Sequence, residues 1–452
     1  MLNIDHLKYV YLIGIGGIGM SGLARYFKNQ GYVVEGYDKT ETELTKQLVQ
    51  EGIPIIYEDK SSLVPDDVKE VSSETLIIYT PAIPSDSNII KFFKEKGHTL
   101  HKRAEVLGLL SKRKYTIAVA GTHGKTTTSS LIAHILTDSG YHCSAFLGGI
   151  ATNYNTNMLI SDSNLLVVEA DEYDRSFLTL HPDIAIVTST DADHLDIYDN
   201  RDNLLESFKL FLNQVTEKGL RIIRKGLSLP IDITYAQGAL ADAYSSESRI
   251  IDGEFYFDYH HGDLVIHDIH LGIPGNHNIE NAVAAITAAR VLGVSADQIK
   301  KALSNFKGVK RRFEYIVKSK ENIYIDDYAH HPAELKAFFT AVKSLYPEKK
   351  LSAVFQPHLF SRTRDFVDEF AEALSLVDEL ILMPIYPARE KPIEGVTSEW
   401  LLEKVKVTNK KILNEEEVLA YVENEKLELI VTVGAGNIDR LVKPLNEILK
   451  NA

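Results

Sequence analysis

The sequence has 452 residues, 44% apolar and 25% charged, which permits sizeable buried cores and excludes fibrous and disordered classes. Its formal net charge of −14 disfavours nonspecific binding to nucleic acid or anionic membranes, and no apolar run approaches the ~20 residues of a membrane span. The one cysteine, Cys143, excludes an intramolecular disulfide and is interpreted as a small buried apolar residue rather than a nucleophile. We therefore expect a cytoplasmic protein that binds small molecules, neither nucleic acid nor membrane; the oligomeric state stays open.

Short β-rich runs alternate with amphipathic helical segments along most of the chain. This alternation predicts an α/β protein with parallel sheets, and the length suggests about three domains. Basic stretches at 111–114 and 307–312 place the domain limits at 1–111, 112–308 and 309–452. Polar segments between about 220 and 273 predict additional strands or an antiparallel subsheet. The predicted buried parallel strands are 9–13, 32–37, 75–79, 116–120, 165–169, 184–188, 323–326, 351–355, 379–383 and 429–433.

The first motif is a glycine-rich turn between the strand 9–13 and a helix. It contains Gly14, Gly16, Gly17 and Gly19, and Asp38 ends the next strand. Glycines let the backbone approach a pyrophosphate, and the helix N-terminus supplies free N–H donors. This pattern predicts a diphosphate site; taken alone it also fits an NAD-dependent dehydrogenase or a purely structural turn.

The second motif follows the strand 116–120 and predicts a nucleoside triphosphate site. Backbone N–H groups of the turn would hold phosphate oxygens, Lys125 would neutralise the β/γ end, and the Thr126 hydroxyl would reach Mg²⁺. Val119 stands where the first glycine of the usual motif would be, so the loop is a shortened variant. The alternative is an ordinary turn with a solvated lysine. The motif consists of Gly121, Thr122, His123, Gly124, Lys125, Thr126, Thr127 and Thr128.

Two acidic clusters follow neighbouring predicted strands and suggest a metal site. The first spans 169–172 and begins with Glu169, and the second spans 191–196 and includes His194. Carboxylate oxygens at strand ends would face the same crevice as the phosphate loop and suit Mg²⁺. The alternative is that these are solvated carboxylates and an ordinary histidine.

Two further segments have both a nucleotide-binding and a structural interpretation. Asn278 and Asn281 lie at i and i+3 on a predicted helix over 275–292, where they would read a purine base or would be a cap and a polar helix surface. Arg312 lies in a charged run at a domain junction, where it would clamp a phosphate or remain solvated.

The last constellation follows two C-terminal strands at 326–332 and 356–364. Its carboxylate, imidazole and guanidinium groups would hold a zwitterionic amino acid, with acid for the ammonium and arginine for the carboxylate. The alternative is a metal pair formed by His330 and His331 beside Asp327.

The chain resembles the Mur ligases, the ATP-dependent amide ligases of peptidoglycan precursor synthesis. The resemblance implies a Rossmann-like N-terminal domain for a UDP-sugar, a central P-loop ATPase-type α/β domain and a Rossmann-like C-terminal domain that closes over ATP and the amino acid. The motifs that carry it occur in the family's order across the whole chain, at 14–22, 121–128, 169–172, 193–196, 277–281, 311–314, 326–332 and 356–358.

The resemblance also implies roles for individual residues, with Lys125, Glu169, His194, Arg312 and Asp327 as the catalytic set. Gly14, Gly16, Gly17, Gly19 and Asp38 would bind the UDP-sugar, and the 121–127 loop would bind ATP. Thr126, Glu169 and His194 would hold Mg²⁺, Asn278 and Asn281 would lie in the nucleotide region, and Arg312 and Asp327 would complete the ATP contacts. The candidates for the alanine end are Tyr328, His330, His358 and Arg362.

Within the family, the resemblance implies a ligase that joins L-alanine to UDP-N-acetylmuramate through an acyl phosphate. The alternatives are a recycling ligase that adds a murein tripeptide to the same nucleotide and, more distantly, the dehydrogenase. Leu359 stands where relatives often have arginine. Phe208, followed by Lys209, stands where several Mur ligases carry a carbamylated lysine, so we predict no carbamylation.

Overall fold

The computed structural model describes residues 4, 6–84, 86–191, 198, 200–238, 240–319, 321–388 and 390–451. These residues form two compact α/β units. Unit 1 comprises Met1–Ser246, Asp258–His267 and Glu280–Asn305, and unit 2 comprises Glu247–Phe257, Asp268–Ile279 and Phe306–Ala452. Within the described residues, no helix is both long and apolar enough to cross a membrane.

Unit 1 begins with a five-stranded parallel sheet in the order β3-β2-β1-β4-β5. Successive residues of a strand face opposite sides, so Leu12 packs into one apolar cluster and Ile13 into another. This is the Rossmann strand order 3-2-1-4-5-6 without its sixth strand, which agrees with the predicted Rossmann-like domain. Its strands are β1 Tyr9–Ile13, β2 Val33–Tyr37, β3 Ile55–Ile56, β4 Thr75–Tyr79 and β5 Leu100–Lys102, and its helices are α1 Ile18–Asn29, α2 Glu43–Gln50, α3 Asp66–Lys69, α4 Asn88–Glu95 and α5 Arg103–Ser111.

The second sheet has eleven described strands, in the order β14-β15-β13-β12-β11-β10-β6-β9-β7-β8 with β16 paired to β15. Strand β6 lies between β10 and β9, which are both parallel to it, so their carboxyl ends meet at one edge. The strands are β6 Tyr115–Ala120, β7 Ser144–Ala151, β8 Thr156–Leu159, β9 Leu165–Glu169, β10 Ile184–Val187, β11 Leu220–Arg224, β12 Ile233–Gln237, β13 Ala243–Ser245, β14 Arg249–Ile251, β15 Glu254–His261 and β16 Leu264–Leu271. The helices that follow these strands are α6 Lys125–Asp138, α7 Arg201–Leu212, α8 Asn276–Val291 and α9 Ala296–Asn305.

Unit 2 is built on a six-stranded sheet in the order β17-β18-β22-β19-β20-β21, parallel except for β17. Ile325 packs with helices on one face of the sheet and Tyr324 with helices on the other, so the sheet is covered on both sides. Its strands are β17 Glu314–Lys318, β18 Ile323–Asp327, β19 Leu351–Phe355, β20 Glu379–Leu382, β21 Asn409–Ile412 and β22 Leu429–Val433. Its helices are α10 Pro332–Leu345, α11 Phe360–Asp365, α12 Val367–Leu374, α13 Ser398–Lys404, α14 Glu415–Asn424 and α15 Val442–Asn451.

The predicted α/β class and each predicted parallel strand are confirmed, with bounds that shift by one residue at most. The region 220–273 holds β11 to β16, but β11, β12 and β13 continue the parallel sheet, and antiparallel pairing begins only at β15. Cys143 is buried, and burial raises the pKa of its thiol to about 12, as expected for a structural residue.

Candidate active site

The turn after β6 forms a cradle for phosphate at the N-terminus of α6. Gly124 has a φ of +82° and is the N-cap of this helix, and no side chain caps it among the described residues. A Cβ at Gly124 would lie 2.6 Å from Oδ1 of Asn281, so only glycine fits there. Ser189, after the neighbouring strand β10, accepts the His123 N–H at 2.7 Å and fixes the turn. The first N–H groups of α6 have no partner within the helix, and they face the space enclosed by the turn. This arrangement suits the binding of a phosphate.

Lys125 lies in this cradle and is paired with a carboxylate that the sequence did not assign to it. Its Nζ donates to Glu172 Oε1 at 2.8 Å and to the Gly121 carbonyl at 2.6 Å. The Glu172 side chain is only 1% exposed. Burial lowers the pKa of Lys125, but the carboxylates of Glu172, Asp171 and Glu169 outweigh it, so the net shift is upward. The alternative of a solvated lysine is therefore wrong: Lys125 is a charged ammonium in an ion pair, and its side chain is only 14% exposed.

Two of the three predicted Mg²⁺ ligands lie side by side. The Thr126 hydroxyl donates to Glu169 Oε1 at 3.1 Å, and Glu169 Oε2 accepts the Gly148 N–H at 2.9 Å. Hard oxygen donors beside a phosphate loop fit Mg²⁺. His194, the third, lies outside the described residues, and the described part of the chain contains no group of three or more His, Cys, Asp or Glu side chains arranged to hold a metal.

The glycine loop after β1 is held by Asp38. Its Oδ2 accepts the Gly16 N–H at 2.8 Å and its Oδ1 accepts the Thr40 N–H at 3.1 Å. The helix α1 begins at Ile18. Asp38 therefore fixes the conformation of the glycine loop by accepting a hydrogen bond from its backbone.

A cleft of about 350 Å³ extends in unit 1 from the glycine loop to the predicted metal carboxylate. The hairpin β7–β8 forms part of its wall: Asn157 donates through Nδ2 to the Ile18 carbonyl and accepts from Arg25 Nη1 at 2.6 Å through Oδ1. The described lining residues are Gly17, Ile18, Gly19, Met20, Gly22, Thr80, Arg103, Leu107, Phe146, Leu147, Gly148, Asn157, Glu169 and Asp171.

The two asparagines of α8 are both buried, so the interpretation as a polar helix surface is wrong. Asn281 accepts the Thr128 hydroxyl at 3.2 Å beside the phosphate loop. Asn278 donates to the Pro274 carbonyl at 2.6 Å in unit 2, which secures the first turn of its helix.

In unit 2, Asp327 organises the loop that follows β18. Its oxygens accept the N–H groups of Phe313 and Ala329, each at 2.7 Å. Burial raises the pKa of Asp327 to about 6, against the lowering effect of the Arg312 guanidinium and these two bonds. Arg312 lies over the Tyr328 ring, 5.1 Å from its centroid.

The four residues predicted for the alanine end lie together after β18 and β19. The His330 ring contacts those of Tyr328 and His358, with centroids 5.3 and 6.0 Å apart. Burial lowers the pKa of His330 to about 4; Glu334 opposes this shift and the Arg362 guanidinium adds to it. His330 Nδ1 lies 2.9 Å from the Tyr328 carbonyl, which can only accept, so Nδ1 carries the proton and Nε2 is an acceptor.

Neighbouring histidines do not form the metal pair that the sequence left open. His331 is the N-cap of α10, where its Nδ1 accepts the Ala333 N–H at 3.4 Å. His277, a histidine that the sequence did not single out, lies exposed in the first turn of α8. Leu359 has a φ of +71° at the N-cap of α11, and no local pattern predicted that conformation. The Phe208 side chain is fully buried, and Lys209 pairs with Glu206 on the surface.

Family models match three consecutive parts of the chain. They are the Mur ligase family catalytic domain over residues 9–115, the Mur ligase middle domain over 119–289 and the Mur ligase glutamate ligase domain over 311–436.

Relatives and solved structures match nearly the whole length. The UDP-N-acetylmuramate–L-alanine ligase of Cytophaga hutchinsonii is 50% identical over 98% of this chain and 97% of the relative. The crystal structure of the UDP-N-acetylmuramate–alanine ligase from Thermotoga maritima is 26% identical, with a TM-score of 0.85 over 99% of this chain and 100% of that one. A murein peptide ligase from Psychrobacter arcticus shares the fold, with 23% identity and a TM-score of 0.67 over 97% and 99% of the two chains.

Proposed function

The chain belongs to the Mur ligase family, and we propose that it joins L-alanine to UDP-N-acetylmuramate at the expense of ATP, in peptidoglycan precursor synthesis and hence cell-wall biogenesis. The observation that carries the proposal is the cleft in unit 1 that connects the glycine loop to Glu169 beside the phosphate loop. A UDP-sugar bound through its diphosphate at one end would bring its carboxylate to the triphosphate at the other.

A carboxylate is a poor acyl donor because it would have to expel an oxide. We therefore assign the first step to attack of the muramoyl carboxylate on the γ-phosphorus, which yields an acyl phosphate and ADP. The loop 121–127 holds the phosphates, and Lys125 neutralises charge as the phosphoryl group transfers. Thr126, Glu169 and His194 would hold Mg²⁺, which would supply further positive charge at the phosphate oxygens. Asn281 supports the loop from α8.

In the second step the uncharged amine of L-alanine attacks the acyl carbon, the bond from that carbon to the phosphate oxygen breaks, and inorganic phosphate leaves with the proton that the nitrogen gives up. Arg362 pairs with the alanine carboxylate, because a guanidinium offers two parallel N–H bonds. The neutral His330, whose Nε2 is an acceptor, receives a hydrogen bond from the amine. Tyr328 and His358 close the pocket around a small side chain. Arg312 and Asp327 complete the ATP contacts, with Asp327 also fixing the loop that carries Tyr328.

A panel of amines tests the proposed substrate. Purified protein is incubated with ATP, Mg²⁺ and UDP-N-acetylmuramate, and phosphate release and the amide product are measured with L-alanine, glycine, L-serine and a murein tripeptide. L-Alanine should give the highest kcat/KM. A preference for the tripeptide would establish the recycling ligase instead, and product without ATP consumption would refute the ligation.

A heavy-oxygen label tests the acyl phosphate. If the muramoyl carboxylate attacks the γ-phosphorus, one of its oxygens leaves with inorganic phosphate, so substrate labelled in the carboxylate should give labelled phosphate. Unlabelled phosphate would contradict this route.

Domain limits and location complete the proposal. We place the UDP-sugar domain at 1–111, the ATP domain at 112–308 and the C-terminal domain at 309–452. The single cysteine and the use of ATP favour a cytoplasmic location. The dehydrogenase hypothesis rested on residues 14–38 alone and is replaced by ATP-dependent ligation.

A further inference from the structure

Arg103 is a cation in the unit 1 cleft that neither the motifs nor the comparisons assign to a substrate. It is the first residue of α5 and follows β5, so it lies at the carboxyl end of a strand, where ligands of parallel sheets bind. Its side chain is 22% exposed. Among the described residues that line the cleft, Arg103 is the only lysine or arginine.

The guanidinium reaches both walls of the cleft. A Cβ on Gly19, in the first turn of α1, would lie 2.8 Å from Arg103 Nη1, so the missing side chain at Gly19 makes room for the guanidinium. On the opposite side, Nη2 lies 3.8 Å from Asp171 Oδ2, two residues after the predicted metal ligand Glu169. Arg103 therefore occupies the path between the diphosphate end and the phosphate-loop end.

The carboxylates that line the cleft would repel an anionic substrate, so its binding requires a cation such as the Arg103 guanidinium. Glu169 and Asp171 place two carboxylates on the wall that the muramoyl carboxylate must approach. Lys125 is engaged with Glu172 and is assigned to the triphosphate. The pair between Arg103 and Asp171 is long, and Asp171 is 44% exposed, so the guanidinium can exchange this partner at little cost.

We propose that Arg103 binds the lactyl carboxylate of the UDP-sugar and holds it for attack on the γ-phosphorus. The inference rests on the proposed function and names the residue that recognises the acyl donor. A guanidinium fork matches a carboxylate with two parallel bonds, which fixes orientation as well as charge. Arg103 is thus the residue that distinguishes a nucleotide sugar with a carboxylate from one without.

The test compares two nucleotides that differ only in the lactyl group. UDP-N-acetylmuramate and UDP-N-acetylglucosamine share the uridine, diphosphate and acetamido sugar, and the second lacks the carboxylate. The KM of the first and the inhibition constant of the second are measured for the wild type, Arg103→Ala and Arg103→Lys. Arg113→Ala serves as the matched control, because Arg113 is an exposed arginine just beyond the other end of α5.

Arg103→Ala should raise the KM for UDP-N-acetylmuramate at least tenfold, the size expected for losing a charged hydrogen-bonded pair, and change the inhibition constant of UDP-N-acetylglucosamine less than twofold. Arg103→Lys should give an intermediate loss, because an ammonium keeps the charge without the fork. Arg113→Ala should match the wild type. Equal weakening of both nucleotides would overturn the proposal and assign Arg103 to the diphosphate, and unchanged constants in both variants would overturn it outright. A wild-type protein that makes no amide from UDP-N-acetylmuramate would instead refute the proposed function.

Discussion

Replacing Lys125 by alanine should abolish ligation and also destabilise unit 1. The loss of activity follows from the missing charge at the transferring phosphoryl group. The loss of stability follows from Glu172, whose carboxylate is 1% exposed and lies 2.8 Å from the ammonium. Removing one partner of a buried ion pair costs about 3–5 kcal/mol, because the other charge stays buried without compensation. The lower end of this range applies, because the Lys125 side chain is still 14% exposed to solvent.

The expected loss of about 3 kcal/mol corresponds to a fall in Tm of about 5 °C for a unit of this size. The companion variant Glu172→Gln keeps an acceptor for Lys125 and should destabilise less. The double variant Lys125→Met with Glu172→Gln contains neither charge and should recover most of the stability while remaining inactive. A double-mutant cycle by urea unfolding, closed with the single variants Lys125→Met and Glu172→Gln, then isolates the pair's coupling.

Stability and activity are measured on the same preparations, as unfolding free energy and as ADP release. A Lys125→Ala protein that unfolds like the wild type would refute the buried pair. Activity within tenfold of the wild type would refute the assignment of the phosphate loop. ATP should raise the Tm of the wild type but not that of the lysine variants, because only a protein that binds the ligand is stabilised by it.

Three further outcomes are expected. Asn157→Ala removes the contacts to Ile18 and Arg25, so urea unfolding should show a loss of about 2 kcal/mol, and steady-state kinetics should show a higher KM for UDP-N-acetylmuramate with the KM for ATP unchanged. Arg362→Ala should raise the KM for L-alanine far more than that for ATP; equal effects on both would remove Arg362 from the alanine pocket. The pKa of His330 is about 4 in the folded protein and about 6.5 in the unfolded chain. Between these two pH values the unfolded chain binds a proton that the folded protein does not, so the wild-type free energy of unfolding falls as the pH drops from about 6.5 to 4. Against His330→Gln, urea unfolding at pH 7 and pH 5 should show an extra wild-type loss of about 1–2 kcal/mol, and parallel pH profiles would contradict the buried neutral imidazole.

Most of the site residues that the sequence predicted follow strands; Asn278, Asn281 and Arg312 do not. Lys125 follows β6 and Glu169 ends β9, and because these two strands pair in parallel, their ends meet at one edge. The same reasoning brought His330 after β18 and Arg362 after β19 into one cluster. A charged or polar residue just after a buried strand can be recognised from the local sequence. Because the carboxyl ends of parallel strands meet at one edge of the sheet, such residues can then be predicted to lie close together.

The parts that escaped prediction depend on contacts between segments far apart in the chain. Glu172 was identified as part of an acidic cluster, yet nothing in its neighbourhood distinguishes a metal ligand from a partner of Lys125, 47 residues away. Asn157 lies in a hairpin without any chemical motif and contacts Ile18 from 139 residues away. The conformation of Leu359 is imposed by its surroundings, because leucine has no preference for a positive φ.

The hairpin β7–β8 explains how the acyl donor and the phosphate donor are placed with the precision that the reaction needs. Its first strand contains Gly148, whose N–H holds Glu169, and its second strand carries Asn157, which holds the start of α1. The two strands pair with each other, with an irregularity between Phe146 and Ala151, so one hairpin holds both sites. A misplacement of about 1 Å costs on the order of a hundredfold in rate when a reaction depends on positioning. Since α1, the hairpin and β9 also contribute to one apolar cluster, a change of packing there should act on catalysis without touching a substrate.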